Sequence, residues 1–309
     1  MTQTDTSLTI DAGQTGIRAR LRLGDTAPET FEFDGIRTDR ALIPQLGDVV
    51  NRVAGVTGAP IRTVSAGLSG FAAGETDPDE LRSLTGASGV RAVFLAHDSV
   101  TSYLGALGDE RGVVVAAGTG VVTLAVGADE VARIDGWGYL IGDAGSGYWL
   151  GRAALDAVMR AYDGRGPATA LTAAVRLDFP DLEMAYLDLQ GDPLRVSRIA
   201  GYARQVTDLA ATDAVAARIC DGAAAELVLS AATGLRRVGE DTSAAPVVCG
   251  IGGVLRAPEI AARFEQGLRE LWPAVDIRPA IANALDGAEY LARLAPTSAL
   301  RDRIASSLA

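Results

Sequence analysis

Five short stretches of the chain carry residues whose types and spacing suit chemistry. The first is Asp11-Ala12-Gly13-Gln14-Thr15-Gly16. Glycines in a tight turn let the backbone approach an anion and aim successive N–H groups at it. Thr15 adds a hydroxyl donor for a phosphate oxygen, and Asp11 stands where a carboxylate holds Mg²⁺, directly or through water. The second stretch, Ala117-Gly118-Thr119-Gly120, repeats the glycine–threonine pattern. Either turn alone reads equally well as an ordinary hairpin tip. Two of them, each at the first hairpin of one half of the chain, suggest that they grip a phosphate chain together from both sides of a cleft. Strands follow both turns, so neither is the strand–turn–helix glycine fingerprint of a dinucleotide fold.

The third stretch is His97-Asp98-Ser99, at the end of an apolar run. A carboxylate at a strand end can orient and deprotonate an attacking hydroxyl, which makes Asp98 the candidate base. Asp98 or Ser99 could equally cap the helix that follows. If the strand persists, His97 points to the opposite face as a structural residue. The fourth stretch, residues 136–149, packs five glycines and two tryptophans into fourteen residues. Such a loop suits a ligand better than a core, with Asp143 hydrogen-bonding substrate hydroxyls; Asp143 and Ser146 also read as helix caps. The fifth is Cys249-Gly250-Ile251-Gly252-Gly253, where missing side chains would let a flat base lie on the backbone, or where a plain strand–helix turn occurs.

The elements that must position these groups follow from periodicity. Residues 8–10 form a strand, the first turn follows, and residues 17–23 alternate apolar and charged side chains as a half-exposed return strand. Residues 31–33 give a third strand, 41–56 a helix, 61–68 a strand that ends in Ser69-Gly70, and 78–85 a helix. Residues 90–96 form the buried strand before Asp98. Then the plan restarts: strand 113–117, turn, strand 121–126, strand 130–134. The repeat recurs at about 100 residues, which suggests duplicated domains and not a solenoid. Residues 145–239 are Ala-rich and helical, broken at 163–167 and near Pro180 and Pro193. A short strand at 246–249, a helix at 258–271, a strand at 276–282 and two short helices complete the chain.

Composition removes whole classes of function. All 28 basic side chains are arginine, because the chain has no lysine. That excludes a P-loop, a protein-kinase lysine and Schiff-base chemistry. With His97 the one histidine, a His-rich zinc site is excluded and a Ser-His-Asp triad would rest on that residue. A net charge of −11 argues against nucleic acid and anionic membranes as partners. No apolar run reaches the roughly 20 residues of a membrane span, and the polar start lacks a leader peptide. The expected location is cytoplasmic. Cys220 and Cys249 are too few and too far apart for a disulfide framework.

Together these residues resemble the actin/hexokinase/Hsp70 superfamily, and within it the N-acetylglucosamine kinase branch, the BadF/BadG/BcrA/BcrD ATPases. The resemblance spans nearly the whole chain. Its most specific parts are Gly136-Trp137-Gly138 followed by residues 142–149, and the Gly118-Thr119-Gly120 turn with Asp98 some twenty residues before it. It implies an α/β fold of two ribonuclease-H-like domains about an interdomain cleft. The expected division is 1–108 and 109–309, the second with a helical insertion at about 151–240 and the last helix free to pack back on the first. It also implies ATP with Mg²⁺, a small-molecule sugar and a homodimer. Gly13, Gln14, Thr15, Gly118, Thr119 and Gly120 would bind the phosphates, with Asp11 at the metal. Gly250, Gly252 and Gly253 would lie by the adenosine. Asp98 would act as the base, and Ser69, Gly70, Gly138 and Asp143 would contact the sugar.

Two departures fall on the sugar side. Ala144 stands where the family carries glutamate in Gly-Asp-Glu-Gly-Ser, and no asparagine occurs near Thr38 or Asp39, where the family's sugar-binding asparagine falls. Asp39 suits a free amine, so glucosamine joins N-acetylglucosamine as the expected acceptor. The family's other activity, an ATPase that activates a 2-hydroxyacyl-CoA dehydratase, needs cysteines holding an iron–sulfur cluster; Cys220 has the wrong spacing for it, and Cys249 falls in the expected nucleotide loop. A non-catalytic sugar or nucleotide sensor is the third reading, disfavoured by Asp98 and favoured slightly by Ala144.

Overall fold

The computed structural model describes residues 6–24, 26–72, 74 and 76–309. The polar start read as lacking a leader peptide lies, for residues 1–5, outside them. The chain divides into two compact units, one of Met1–Arg111 with Ala280–Ala309 and one of Gly112–Pro279.

In the first unit, β1 (Thr6–Ala12), β2 (Ile17–Leu23) and β3 (Glu29–Phe33) form an antiparallel meander. The helix α1 (Leu42–Thr57) follows, its Ile43, Leu46, Val49, Val50 and Val53 buried at helical spacing; that periodicity makes one apolar face. Gly58 ends it in the left-handed region, where a residue without Cβ is unstrained. Then come β4 (Thr63–Leu68), α2 (Pro78–Leu84), β5 (Ala92–His97) and α3 (Asp98–Leu107). β4 runs parallel to β1, and β5 parallel to β4. The register aligns Ala12 with Leu68 and Leu68 with His97. The three parallel strands therefore end level, and the segments after them leave from one edge.

The second unit repeats the plan. β6 (Gly112–Ala117), β7 (Val121–Val126) and β8 (Val131–Ile134) form another antiparallel meander. Six helices follow: α4 (Gly147–Tyr162), α5 (Leu171–Asp178), α6 (Ala185–Gly191), α7 (Arg195–Gly201), α8 (Ala203–Leu209) and α9 (Ala214–Arg237). The long α9 buries small residues against the sheet, and a Cβ at its Gly234 would touch Ala125 and Val113. Next come β9 (Val247–Ile251), parallel to β6, then α10 (Pro258–Leu271) and β10 (Asp276–Ile277), parallel to β9. Finally the chain returns to the first unit with α11 (Ala284–Tyr290) and β11 (Ile304–Leu308), which pairs antiparallel with β5.

The strand orders are β11-β5-β4-β1-β2-β3 and β10-β9-β6-β7-β8. Each contains a meander flanked, on the far side of its first strand, by two parallel strands. This is the ribonuclease-H-like arrangement, made twice in an α/β chain. Each unit has its own apolar core. Among the described residues, no helix is long and apolar enough to cross a membrane.

Three expectations need correction. The division 1–108 and 109–309 gave the last thirty residues to the second domain, whereas residues 280–309 belong to the first unit. The cause is packing that sequence does not display: α11 lies on α3 so closely that a Cβ at Gly105 or Gly287 would strike backbone. The two closing helices are α11 and two short 3₁₀ turns, and they precede a strand, β11, that periodicity missed. The strand expected at 276–282 is two residues long, because Ile281 and Ala282 donate instead to the carbonyls of Ala106 and Gly105.

Candidate functional site

At the edge where β1, β4 and β5 end, the first unit gathers most of its sequence candidates. Asp11 is in β1, not in the turn, and faces Arg18 across the hairpin with an ion pair of 2.8 Å. The turn proper is Gly13–Gly16, closed by Gly13 N–H to the Gly16 carbonyl at 3.1 Å. Ile36 N–H binds the Gly13 carbonyl at 2.9 Å, and a Cβ on Gly35 would strike the Gln14 carbonyl. The turn is thus backed by the chain that follows β3, while Gln14 and Thr15 are exposed at its tip. Ser69 N–H donates to the Ala12 carbonyl at 3.0 Å, which ties the end of β4 to the end of β1. Gly70 has a φ of +78°, and a Cβ there would stand 2.8 Å from Thr38 Cγ2.

Asp98 opens α3 directly after β5. Its carboxylate is held from two sides. Ser69 Oγ donates to Oδ2 at 2.5 Å, and His97 Nδ1 lies 2.9 Å from Oδ1. Burial pushes the Asp98 carboxyl up, but His97, the Ser69 hydroxyl and the Ser99 N–H together outweigh it and hold the group below the usual carboxylate range. Neither Asp98 nor Ser99 caps α3. His97 occupies the N-cap position, with Nδ1 placed 3.1 Å from Ser99 N. Its ring therefore turns toward Asp98 and not to the opposite face of the sheet, because the chain enters a helix at Asp98 and strand alternation stops. Ser69, expected at the sugar, gives its hydroxyl hydrogen to Asp98. Asp39 is exposed and paired with Arg37 at 2.8 Å.

The second unit builds its edge from β6 and β9. The Gly118–Gly120 turn leaves β6, and its carbonyls at Gly118 and Thr119 accept the N–H groups of Gly147 and Tyr148 at 2.8 and 3.0 Å. Ser146 caps α4 by accepting from Trp149 N–H. The first three amides of α4 are therefore used up, so anion binding here falls to the turn itself. A Cβ on Gly118 would meet nothing within 4 Å, an open backbone face that fits an approaching phosphate. Gly120 is different: a Cβ there would stand 2.6 Å from Asp143 Oδ2.

Asp143 is brought against the turn by a loop under backbone strain. The two non-glycine residues of positive φ among those described are Asp135 (+55°) and Asp143 (+59°), and Gly136, Gly138 and Gly145 share that sign. Such conformations persist only where their surroundings hold them. Here Asp135 accepts the N–H groups of Asp143 and Ala144 at 2.8 and 2.9 Å. Arg133 lies over the Trp137 ring at 4.6 Å and donates to the carbonyls of Asp135 and Gly136. Burial raises the pKa of Asp143 and the nearby Asp135 charge adds to it, against the N–H groups of Val121 and Gly138 and the charge of Arg133, which pull it down. The Gly138 N–H is thus engaged with Asp143. Asp135 and Arg133 gave no sequence signal, since positive φ at a non-glycine residue is not written in residue type.

A cavity of about 680 Å³ opens within the second unit, walled by Gly118, Thr119, Leu150, Arg204, Gly253 and Arg256 among others. Its size suits a nucleoside. Arg204 lies on α8 and Arg256 in the turn between β9 and α10, and neither belongs to a motif. Gly250 is not part of this wall: it is inside β9, opposite Val115, with Leu255 packed where its Cβ would be. Gly252 is not part of it either; at φ +97° it makes the close turn past the Ala117 carbonyl. Cys249 is likewise a buried strand residue and not a loop residue. Among the described residues no three His, Cys, Asp or Glu side chains gather as a metal site. Asp11, the carboxylate expected at Mg²⁺, lies near the end of β1 beside the Gly13–Gly16 turn with its Oδ2 paired to Arg18; Mg²⁺ often takes one or two protein carboxylates, with waters and phosphates as the other ligands.

The model of the BadF/BadG/BcrA/BcrD ATPase family matches residues 12–289. An N-acetylmuramic acid/N-acetylglucosamine kinase of Clostridium acetobutylicum is 32% identical over 145 residues, 45% of this chain and 46% of that protein. An N-acetyl-D-glucosamine kinase of Dictyostelium discoideum is 45% identical over 69 residues, 22% of each. Both matches span less than half of the relative's length. A candidate N-acetylglucosamine kinase from Chromobacterium violaceum superposes with a TM-score of 0.70 at 25% identity, over 94% of this chain and 99% of that one.

Proposed function

The chain belongs to the BadF/BadG/BcrA/BcrD ATPase family, and from that premise we propose that it transfers the γ-phosphate of MgATP to a hydroxyl of an amino sugar. The observation that carries this reading is Asp98: a carboxylate fixed by Ser69 and His97 at the strand edge from which the Gly13–Gly16 turn also leaves. Held below the usual range, it is ionised at neutral pH and able to orient a sugar hydroxyl. As the hydroxyl oxygen bonds the γ-phosphorus and ADP departs, the proton passes to Asp98. The Gly118–Gly120 turn presents open backbone to the phosphates, and Gly253, Arg204 and Arg256 wall the nucleoside cavity. Asp11 would hold Mg²⁺, which supplies charge neutralisation on the phosphate oxygens. Asp143 receives the sugar, positioned by Gly138 and Asp135. Asp39 is already paired with Arg37, which favours N-acetylglucosamine over glucosamine as acceptor. A homodimer and a cytoplasmic location belong to the same reading; light scattering tests the first.

An ATPase built on an iron–sulfur cluster is the weaker reading. Cys220 and Cys249 are buried on separate elements, and burial pushes both thiols up to about 11. Cluster ligation takes thiolates. The deciding experiment is ADP release from MgATP with N-acetylglucosamine, glucosamine, N-acetylmannosamine, glucose or no acceptor, for the wild type and Asp98→Asn. Acceptor-dependent release that collapses in Asp98→Asn, with ATP still bound by calorimetry, supports the kinase. Release that ignores the acceptor removes it, and unchanged turnover in Asp98→Asn removes Asp98 as base.

A further inference from the structure

Three groups crowd one nitrogen. His97 Nδ1 lies 2.9 Å from Asp98 Oδ1, 3.1 Å from Ser99 N and 2.9 Å from Ser99 Oγ. A ring nitrogen offers either a hydrogen or a lone pair, never both. With a lone pair, Nδ1 accepts from Ser99 and caps α3, but that lone pair then faces a carboxylate oxygen at hydrogen-bond distance. With a hydrogen, Nδ1 donates to Oδ1. The Ser99 groups lose little in that case. The Ser99 N–H also reaches the Asp98 carboxylate, and the Ser99 hydroxyl is free to turn and act as acceptor. One arrangement pairs Nδ1–H with Oδ1 and the other sets two acceptors face to face.

From this geometry we infer that His97 is a positioning residue for Asp98, with its hydrogen on Nδ1 donated to Oδ1, and that the tautomer of this one imidazole sets the orientation and basicity of the carboxylate. Ser69 holds Oδ2 from β4 and His97 holds Oδ1 from the end of β5, so the carboxylate cannot rotate. The groups acting on it from these elements are His97, the Ser69 hydroxyl and the Ser99 N–H. The inference rests on Asp98 being the base, but it makes a claim about the imidazole that is readable without turnover.

His97 is the chain's single histidine, so its ring nitrogens are assigned in a long-range ¹H–¹⁵N correlation spectrum of the full labelled protein with no further variant. The expected result is a neutral ring with its hydrogen on Nδ1, reverting toward Nε2–H in Asp98→Ala. An unprotonated Nδ1 with hydrogen on Nε2 in the wild type overturns the inference and leaves the base role of Asp98 standing. Kinetics supply the second arm. In His97→Ala the acid limb of kcat/KM moves to higher pH, because Asp98 loses a donor to its ionised form. In His97→Asn the side-chain amide takes roughly the place of Nδ1 and brings the limb back. A limb that stays put in His97→Ala, with the protein folded by circular dichroism, also overturns it. Full turnover in Asp98→Asn would end the base reading and take the role of His97 with it.

Discussion

Two glycines of one turn make a steric test of which substrate each side of it serves. Neither Gly118 nor Gly120 has positive φ, so alanine is allowed by the backbone at both. At Gly120 the new Cβ would stand 2.6 Å from Asp143 Oδ2 and 3.2 Å from Cγ. Ordinary contact begins at 3.4 Å, so the oxygen must retreat by roughly 0.8 Å. The Asp143 main chain cannot follow, because Asp135 holds its N–H at 2.8 Å; the carboxylate must swing away from Val121 and Gly138. A displacement near 1 Å of a substrate-holding group lowers turnover by about 10- to 100-fold, or about 1.4–2.7 kcal/mol. Gly120→Ala should therefore lose that much kcat/KM for the sugar and keep its affinity for ATP. At Gly118 the Cβ meets nothing within 4 Å, so Gly118→Ala should fold as well as the wild type while raising the KM for ATP. The assay is ADP release with either substrate varied, beside calorimetry for ATP and a melting curve. If Gly120→Ala folds and its sugar kcat/KM stays within about twofold of the wild type, Asp143 does not hold the sugar and the strained loop is not part of the acceptor site.

Asp143 has its pKa raised by burial, so the folded state is favoured by its protonated form, and that contribution is lost as pH rises through the raised value. Asp143→Asn should then melt higher than the wild type at neutral pH, lose this advantage toward pH 4, and fail to use sugar; an equal or lower melting temperature at neutral pH speaks against it. Asp98 carries the opposite sign, because its partners lower its pKa. Ser69→Ala removes one of them, so the acid limb of kcat/KM should move to higher pH with little change in sugar KM; a raised KM with an unmoved limb would return Ser69 to the sugar. Asp11→Asn should need several-fold more Mg²⁺ for half-maximal rate at fixed ATP, and an unchanged Mg²⁺ dependence would take Asp11 out of the metal site.

The turns were legible in sequence because their chemistry is glycine chemistry. Gly13–Gly16, Gly118–Gly120 and Gly252–Gly253 each follow a sheet strand; a Cβ would strike the Asp143 carboxylate at Gly120 and the Ala117 backbone at Gly252, while Gly118 is open. Asp98 was legible as a charge that ends an apolar strand. What sequence could not supply were pairings between distant residues: Ser69 with Asp98, Asp135 with Asp143, and β11 with β5. The resemblance puts Ser69 at the sugar; in the structure its hydroxyl donates to the Asp98 carboxylate at 2.5 Å. Gly250 is placed by pairings of the same kind. It lies next to a loop by number and inside a strand by hydrogen bonding, and Leu255 fills the space its side chain would need.

The duplicated fold explains why the phosphate side is easier to read than the sugar side. Each sheet offers the same two exits, one after its first strand and one after its fourth, and a glycine stands at each of them. The sugar side has no such geometric rule. Its candidates are Asp143, held by a strained loop through Asp135, and the surroundings of Thr38, against which Gly70 packs. Ala144 shows how loosely that side is specified: its N–H is bound by Asp135 at 2.9 Å, while its methyl group gives a sugar nothing to hydrogen-bond. The loop keeps its shape through main-chain contacts, so the side chain at 144 is free to vary without loss of the fold. If Asp143 holds the acceptor, Ala144→Glu should alter the sugar used, read as kcat/KM for each sugar, while ATP affinity by calorimetry stays that of the wild type.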